Sequence, residues 1–397
     1  MRFLHTADWH VGKKLGRISR MAEYEAAIDE MVQIARAEQV DVVLVAGDLW
    51  DRPLPPLESI QLVVDGLIRL ADAAGRVVAI PGNHDSPALF EVLAGLLEPR
   101  GVTLVPRIRP PADGGMVEVV SRDGTEKARV AALPFLHEAL VIADLMKRSE
   151  RWYEADNAQG LLAADRYADK MTGLCAALCE GFTPGGIGIL MAHYFVDGAE
   201  LGGGERKIHL GDQYAATAQA VPPGASYVAL GHIHRPQAIA GSAAPARYAG
   251  SPLQLDFSER THTKEIALVD VTEGSPAKVR PVPLSAGRKL VRVQDEMESL
   301  RGRVDEFGDA YLDVRVKTSG PVFGLSEQVR QFLPNAVMVQ AVYERLPVEQ
   351  IMGSQSADGA IASSYAAYHA LQHGVEAPVE LLDEVRALEQ EVIDAAT

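Results

Sequence analysis

A chain of 397 residues and 42.7 kDa, 47% hydrophobic and of mean hydropathy near zero, is longer than one typical domain and has ample material for a folded core. Its formal net charge of −16, to which residues 376–397 contribute seven acidic side chains against one arginine, excludes diffuse electrostatic binding of nucleic acid but leaves room for a local basic groove. No apolar run reaches the ~18 residues of a membrane helix, MRFLHTADWH meets Asp8 without a signal-like apolar segment, and two cysteines build no disulfide framework, so a cytoplasmic protein is expected.

The first hundred residues alternate strand and helix. Residues 2–10 (RFLHTADWH) read as a short strand running into a loop, and residues 21–39 carry Met21, Tyr24, Ile28, Met31 and Ala35 at the spacing of one helical face. DVVLVAGDLWDRP (41–53) is a β-branched run bounded by glycine, a buried strand that surfaces at a loop. Residues 57–74 repeat the helical pattern, and RVVAIPGNHDS (76–86) is the next strand. Such β-α-β-α-β order predicts an α/β layered fold.

Further on, residues 117–133 read as two strands joined at Arg122-Asp123-Gly124, and 153–182 as largely helical. GIGILMAH (186–193) and SYVALGHIH (226–234) are strands ending in histidine, with Gly202-Gly203-Gly204 marking a mobile loop between them. Residues 247–257 and 264–271 are expected to be closing strands. After Pro281-Val282-Pro283 the composition shifts. KLVRVQ, a helix at 295–307, YLDVRVK, another helix and AVMVQAVY make a small α+β unit, GSQSADG (353–359) is a linker by composition, and two helices (361–373, 379–395) come last. The expected domains are thus 1–283, 284–344 and 345–397.

The residues just past each apolar strand carry the chemistry: Asp8-x-His10, Asp48, Asn83-His84, His193 and His232-x-His234. Residues i and i+2 of an extended chain face the same way, so Asp8 with His10, and His232 with His234, can each present two groups to one point. One histidine at a strand end is more often a hydrogen-bonded structural residue. Five strand ends repeating the signal are not explained that way. Three oxygen donors and four imidazoles exceed the needs of one tetrahedral ion and suit two ions sharing the Asp48 carboxylate. Mixed donors favour Mn, Fe or Zn over Mg or Ca, and paired ions roughly 3.5–4 Å apart suit an in-line phosphoryl displacement.

The motifs DWH, GDLWD, GNHD, the isolated AH and GHIH resemble those of the calcineurin-like metallophosphoesterase superfamily. HTADWHVGKKLG, PGNHDS, and YVALGHIHRPQ followed by YAGSPLQLDFSE are similar to its branch of nucleases that process DNA double-strand breaks. That resemblance implies a four-layer α/β sandwich of two packed β-sheets flanked by helices, with a small α+β capping domain at 284–344 and C-terminal helices. It places one ion between Asp8, His10, Asp48 and His234, the other between Asp48, Asn83, His193 and His232, and implies manganese. His84 would contact the scissile phosphate and help protonate the leaving 3′-oxygen. It further implies double-stranded DNA ends and hairpins as substrates, a homodimer, nucleoid association, and an ABC-class ATPase with a coiled coil as partner of the last helices. No phosphate-binding P-loop occurs in the chain itself.

Asp51 stands where archaeal and eukaryotic relatives have a histidine. A carboxylate makes no cationic phosphate contact, so Asp51 is read as a residue holding His10 or His84, and phosphate contact passes to His84 or Arg52. Lys13, Lys14, Arg17 and Arg20, next to the first ligand loop, are candidates for the DNA backbone. Trp9 and Trp50 are expected to stiffen the ligand loops, and Cys175 and Cys179 to be small buried side chains. Ser86 either contacts phosphate or caps a helix. A phosphoesterase for a small phosphodiester or phosphoprotein, and an inactive scaffold of the same fold, are the competing readings. The added residues beyond 283 weigh against the first and the intact donor set against the second.

Overall fold

Strand parity assigns each side chain of the catalytic half to one of two layers. The computed structural model describes residues 1–136, 167–205, 215–221, 224–343 and 361–396. In β1 (Arg2–Thr6) and β2 (Val42–Ala46), Phe3, Val42, Leu44 and Ala46 face one way, while Leu4, Val43 and Val45 face the other. With β3 (Arg76–Ile80) and β4 (Val102–Leu104) these strands run parallel. The second face packs on α1 (Met21–Ala37) and α2 (Leu57–Ala74) through Ile28, Met31, Val63, Leu67 and Leu70. Both faces are buried, which is why the strands read as unbroken apolar runs.

The first face meets a second sheet. Its strands are β5 (Met116–Val120), β6 (Lys127–Leu133), β7 (Ile187–His193), β10 (Tyr227–Gly231), β11 (Gln237–Ala238) and β12 (Ala246–Tyr248); between β7 and β10, the two-residue strands β8 (Phe195–Val196) and β9 (Ala215–Ala216) pair with each other in a separate sheet. The order is β11-β12-β10-β7-β6-β5. Val130, Ala132, Ile189, Met191, Tyr227 and Ala229 close the inter-sheet core against Phe3, Leu44 and Val78. The outer face packs Leu133, Leu190, Val228 and Leu230 against Met171, Leu174 and Leu178 of the helix Tyr167–Cys179. Helix, sheet, sheet and helix make the four expected layers. Cys175 and Cys179 are free and buried in the last of them.

The first sheet is completed by antiparallel β13 (Glu265–Asp270) and β14 (Lys278–Pro283), giving the order β14-β13-β1-β2-β3-β4. Pro281 and Pro283 sit in β14, where an edge position spares them the missing amide. A third helix, α3 (Pro87–Leu97), was not among the expected elements, although Ser86 followed by proline marks its start. Ser86 caps it by accepting from the Leu89 amide at 3.4 Å.

One expected strand is corrected. Of the strand expected across 247–257, only the part within Ala246–Tyr248 forms. Beyond it Gly250 takes φ +75°, and Ser251 and Leu255 spend hydrogen-bonding groups on Lys264 and Glu259. Of the helical segment 153–182, the described part forms Tyr167–Cys179.

Contacts divide the chain into two units, Met1–Arg288 and Lys289–Thr397. In the second, β15 (Leu290–Asp295), β16 (Tyr311–Lys317) and β17 (Ala336–Val342) form a parallel three-stranded sheet. Its core joins Val293, Leu300, Leu312, Val314, Val329 and Leu333. The expected helix at 295–307 is broken at Arg303 into Met297–Gly302 and Val304–Phe307. Leu325–Arg330, Ile361–His373 and Val379–Ala396 are helices as well. The linker 353–359 lies outside the described residues.

Candidate metal centre

The carboxyl ends of β1, β2, β3, β7 and β10 open at one edge, where layered α/β folds place ligands. The two sheets approach closely there. A Cβ on Gly231 would lie 1.9 Å from the Ala46 carbonyl, and one on Gly47 (φ +93°) would lie 2.2 Å from His193 Nδ1. Glycine at both positions is what lets the imidazole of one sheet reach the carboxylate of the other. Among the described residues, non-glycine positive φ occurs at Asp8, His10, Asp48, His232 and Gln39. Four of these are expected ligands, and strained backbone of this kind concentrates at functional sites.

All seven expected donors converge. His10 Nε2 and His234 Nε2 are 3.1 Å apart. Asn83 Oδ1 lies 3.1 Å from His193 Nε2 and 2.9 Å from His232 Nδ1. Between these groups one oxygen, Asp48 Oδ2, is 3.5 Å from His10 Nε2 and 3.4 Å from His193 Nε2. Asp8, Asp48 and His193 place ligand atoms within 4.8 Å of one another, and so do His10, Asp48 and His84. Geometry alone therefore admits His84 to the donor set. Every member is buried.

Backbone amides hold the carboxylates. Asp8 accepts the His232 amide on both oxygens, at 2.9 and 3.1 Å, and Asp48 Oδ1 accepts the His84 amide at 2.8 Å. Burial alone would raise the Asp48 carboxyl, but His193, His84 and His10 hold it well below the usual carboxylate range. Burial pushes Asp8 up to about 7 against the pull of His193 and His234. Burial opposes a proton on His193, yet Asp48 and Asp8 carry it up to about 9. This buried N/O donor set fits divalent metal ions, and Asp48 belongs to both candidate groups.

The imidazoles are aimed by their second nitrogens. His193 Nδ1 bonds the Ala46 carbonyl and His84 Nδ1 the Asp51 carbonyl, both at 2.8 Å, while His234 Nδ1 bonds Glu259 at 2.9 Å. Phe135 stacks on the His232 ring at 6.1 Å. The Asp51 side chain is partly exposed and its Oδ1 lies 4.0 Å from His10 Nδ1.

Three carboxylates outside the expected site residues organise these loops. Asp85 accepts the amides of Gly82, Leu49 and Trp50 at 2.9, 3.1 and 3.0 Å, tying GNHD to GDLW. Burial and the neighbouring Asp48 push its carboxyl up to about 7. Glu205 accepts from Gly202, Gly203 and His234, so the Gly202–Gly204 segment wraps His234. Glu259 is the third. An Asp directly after the Asn-His pair was the available signal for Asp85; nothing local points to the two glutamates.

The basic candidates separate. Lys14, Arg17 and Arg52 are exposed and Lys13 is half-buried. Arg20 is buried, pairing with Glu23 at 2.7 Å and with the Gln254 carbonyl, so it ties elements together rather than facing a ligand. Trp9 and Trp50 are buried, with indole N–H groups on Thr6 and on the Ser59 carbonyl.

Two sheets with this edge define a calcineurin-like phosphoesterase, and the family model of that description matches residues 1–236. Three relatives, each the SbcD component of an SbcCD nuclease, extend the match. The one from Bacillus subtilis (strain 168) is 33% identical, covering 87% of this chain and 86% of its own. That from Escherichia coli (strain K12) is 30% identical over 90% and 85%, and that from Rhodobacter capsulatus 35% identical over 71% and 69%. The chain belongs to the SbcD family of SbcCD nuclease components. Among the described residues no helix is long and apolar enough to cross a membrane.

Proposed function

We propose that this chain is the manganese-dependent DNA nuclease subunit of an SbcC–SbcD-type complex, a 3′→5′ exonuclease on double-stranded ends and an endonuclease on hairpins, acting in DNA repair and recombination. The observation that carries the reading is Asp48 Oδ2, set 3.5 and 3.4 Å from imidazoles of two donor groups. Asp8, His10, Asp48 and His234 would hold one ion, and Asp48, Asn83, His193 and His232 the other. When bound, the pair supplies Lewis acidity and lowers the pKa of water at the site.

The chain's own groups do the rest. The His84 ring is oriented by the bond from its Nδ1 to the Asp51 carbonyl, and His84 would meet the scissile phosphate and give a proton to the leaving 3′-oxygen. Asp51 acts through this carbonyl. Lys13, Lys14, Arg17 and Arg52 would track the DNA backbone.

An SbcC-type ABC-class ATPase with a coiled coil is the proposed partner of the helices Ile361–His373 and Val379–Ala396, where Ile361, Tyr368, Val379 and Leu388 are exposed. A homodimer is proposed through Leu57 of α2 and Val92 and Leu96 of α3, also exposed. The chain is proposed to work in the cytoplasm at the nucleoid.

Purified protein with manganese, given a labelled DNA hairpin, a blunt duplex and a cyclic nucleotide, should open the hairpin and shorten the duplex. Cleavage of the cyclic nucleotide alone would overturn the nuclease reading. Truncation before Ala360 should leave that cleavage and abolish capture of the ATPase; undiminished capture would place docking elsewhere.

A further inference from the structure

His234 is gripped from three sides. Its amide donates to Glu205 Oε1 at 3.0 Å, its carbonyl accepts from Lys264 Nζ at 2.9 Å, and its ring Nδ1 lies 2.9 Å from Glu259 Oε1. Glu259 has no exposed surface, and its other oxygen accepts from Lys264 Nζ at 2.7 Å and from the Leu255 amide at 3.0 Å. Lys264 spends its third donor on Ser251 Oγ at 2.8 Å. Glu259 and Lys264 thus find all their partners inside this buried cluster.

The closed network leaves the His234 ring one arrangement. With a carboxylate on one side, Nδ1 carries the hydrogen and Nε2 keeps the lone pair, directed toward His10 Nε2 3.1 Å away. His10 is held differently: its Nδ1 is buried with no hydrogen bond, and Asp51 Oδ1 stands off at 4.0 Å. His193 and His84 lean on neutral backbone carbonyls. A carboxylate behind a ligating imidazole fixes its tautomer and raises its basicity more than a carbonyl does.

We infer that Glu259 is a positioning residue for the metal centre: through His234 it sets the affinity of the ion that His234 and His10 share, while Lys264 and the Leu255 amide hold its carboxylate in place. The inference rests on the metal-centre reading above. It assigns a role to a residue that lies 25 positions from the histidine it serves.

The test is manganese titration of the full chain by calorimetry, with Glu259→Gln, Glu259→Asp and the double variant Glu259→Gln/Lys264→Met beside the parent. The double variant removes the buried ion pair as a unit and so leaves no buried charge unpaired. The parent should bind two equivalents. Glu259→Gln and the double variant should bind one of them about 10–100-fold more weakly and the other unchanged, with Glu259→Asp in between. Nitrogen-edited NMR of the double variant should show the His234 ring as a mixture of tautomers. Parent-like affinity for both ions in the double variant would overturn the role of Glu259 and leave the metal centre standing. Absence of manganese binding in the parent would overturn both.

Discussion

His84 is bonded to the backbone of Asp51 and not to its side chain: its Nδ1 lies 2.8 Å from the Asp51 carbonyl oxygen. Asp51, expected to hold His10 or His84, thus holds His84 through an atom that every amino acid carries. The carboxylate beside it reaches only to 4.0 Å from His10 Nδ1.

The two positions should therefore behave differently. Asp51→Ala keeps the carbonyl and should lower kcat by less than about tenfold, whereas His84→Gln removes the transferable proton and should lower it by about 100-fold or more. Metal content should be unchanged in both. Equal losses would show that the Asp51 carboxylate itself takes part in the chemistry.

Asp48 should behave as a shared residue. Its Oδ2 faces both donor groups and its Oδ1 the His84 amide. Asp48→Ala is expected to lose both ions, read by metal analysis after gel filtration, and one full equivalent retained would contradict sharing.

Asp85 should matter for stability before it matters for turnover. Asp85→Ala leaves the amides of Gly82, Leu49 and Trp50 without their acceptor in a buried place. Each such loss costs about 1–3 kcal/mol and the three are not additive. A decrease of roughly 2–5 kcal/mol in urea unfolding is expected, with Asp85→Asn recovering part of it. An unchanged midpoint would mean that water replaces the carboxylate.

His5 should give the fold an acid-sensitive component. It is fully buried between the sheets with Nδ1 3.0 Å from Tyr227 Oη. Burial, with the Arg247 charge behind it, lowers the imidazole to about 3. The folded value lies below the ordinary 6.5, so the contribution is complete above about pH 6.5. It falls by about 1.4 kcal/mol per pH unit as the pH drops from there toward 3. His5→Gln, uncharged throughout, should flatten the decline of Tm between pH 6.5 and 4.5. An identical slope would remove His5 from the acid response.

Lys14 and Arg17 are exposed beside the first ligand loop. Changing both to alanine should raise KM for duplex DNA and reduce the salt slope of binding by about 2, with kcat little altered. An unchanged slope would take this loop off the path of the DNA backbone.

The order of the catalytic half was legible in the sequence because strand and helix periods are local properties. Apolar runs such as VVLVA and YVALG announce strands covered on both faces, and the residues after each run must surface at the same edge. That is why Asp8, His10, Asp48, Asn83, His193, His232 and His234 can be gathered from the chain alone. The strand expected across 247–257 failed for the opposite reason: its amides and hydroxyls are claimed by Glu259 and Lys264, not by a neighbouring strand.

The sequence by itself determined which residue types stand at the strand ends, and hence a set of candidate metal donors. Only the tertiary structure decided which oxygen of Asp48 faces both groups, that Asp85 staples two loops, that Arg20 is spent on Glu23, and that Glu259 stands behind His234. The physical reason is one of range. A donor at a strand end is placed by its own strand, whereas the partner that aims it comes from wherever the fold brings a carboxylate or a carbonyl: 36 residues away for Asp85 and Leu49, 147 for His193 and Ala46. No local pattern in the chain encodes those distances.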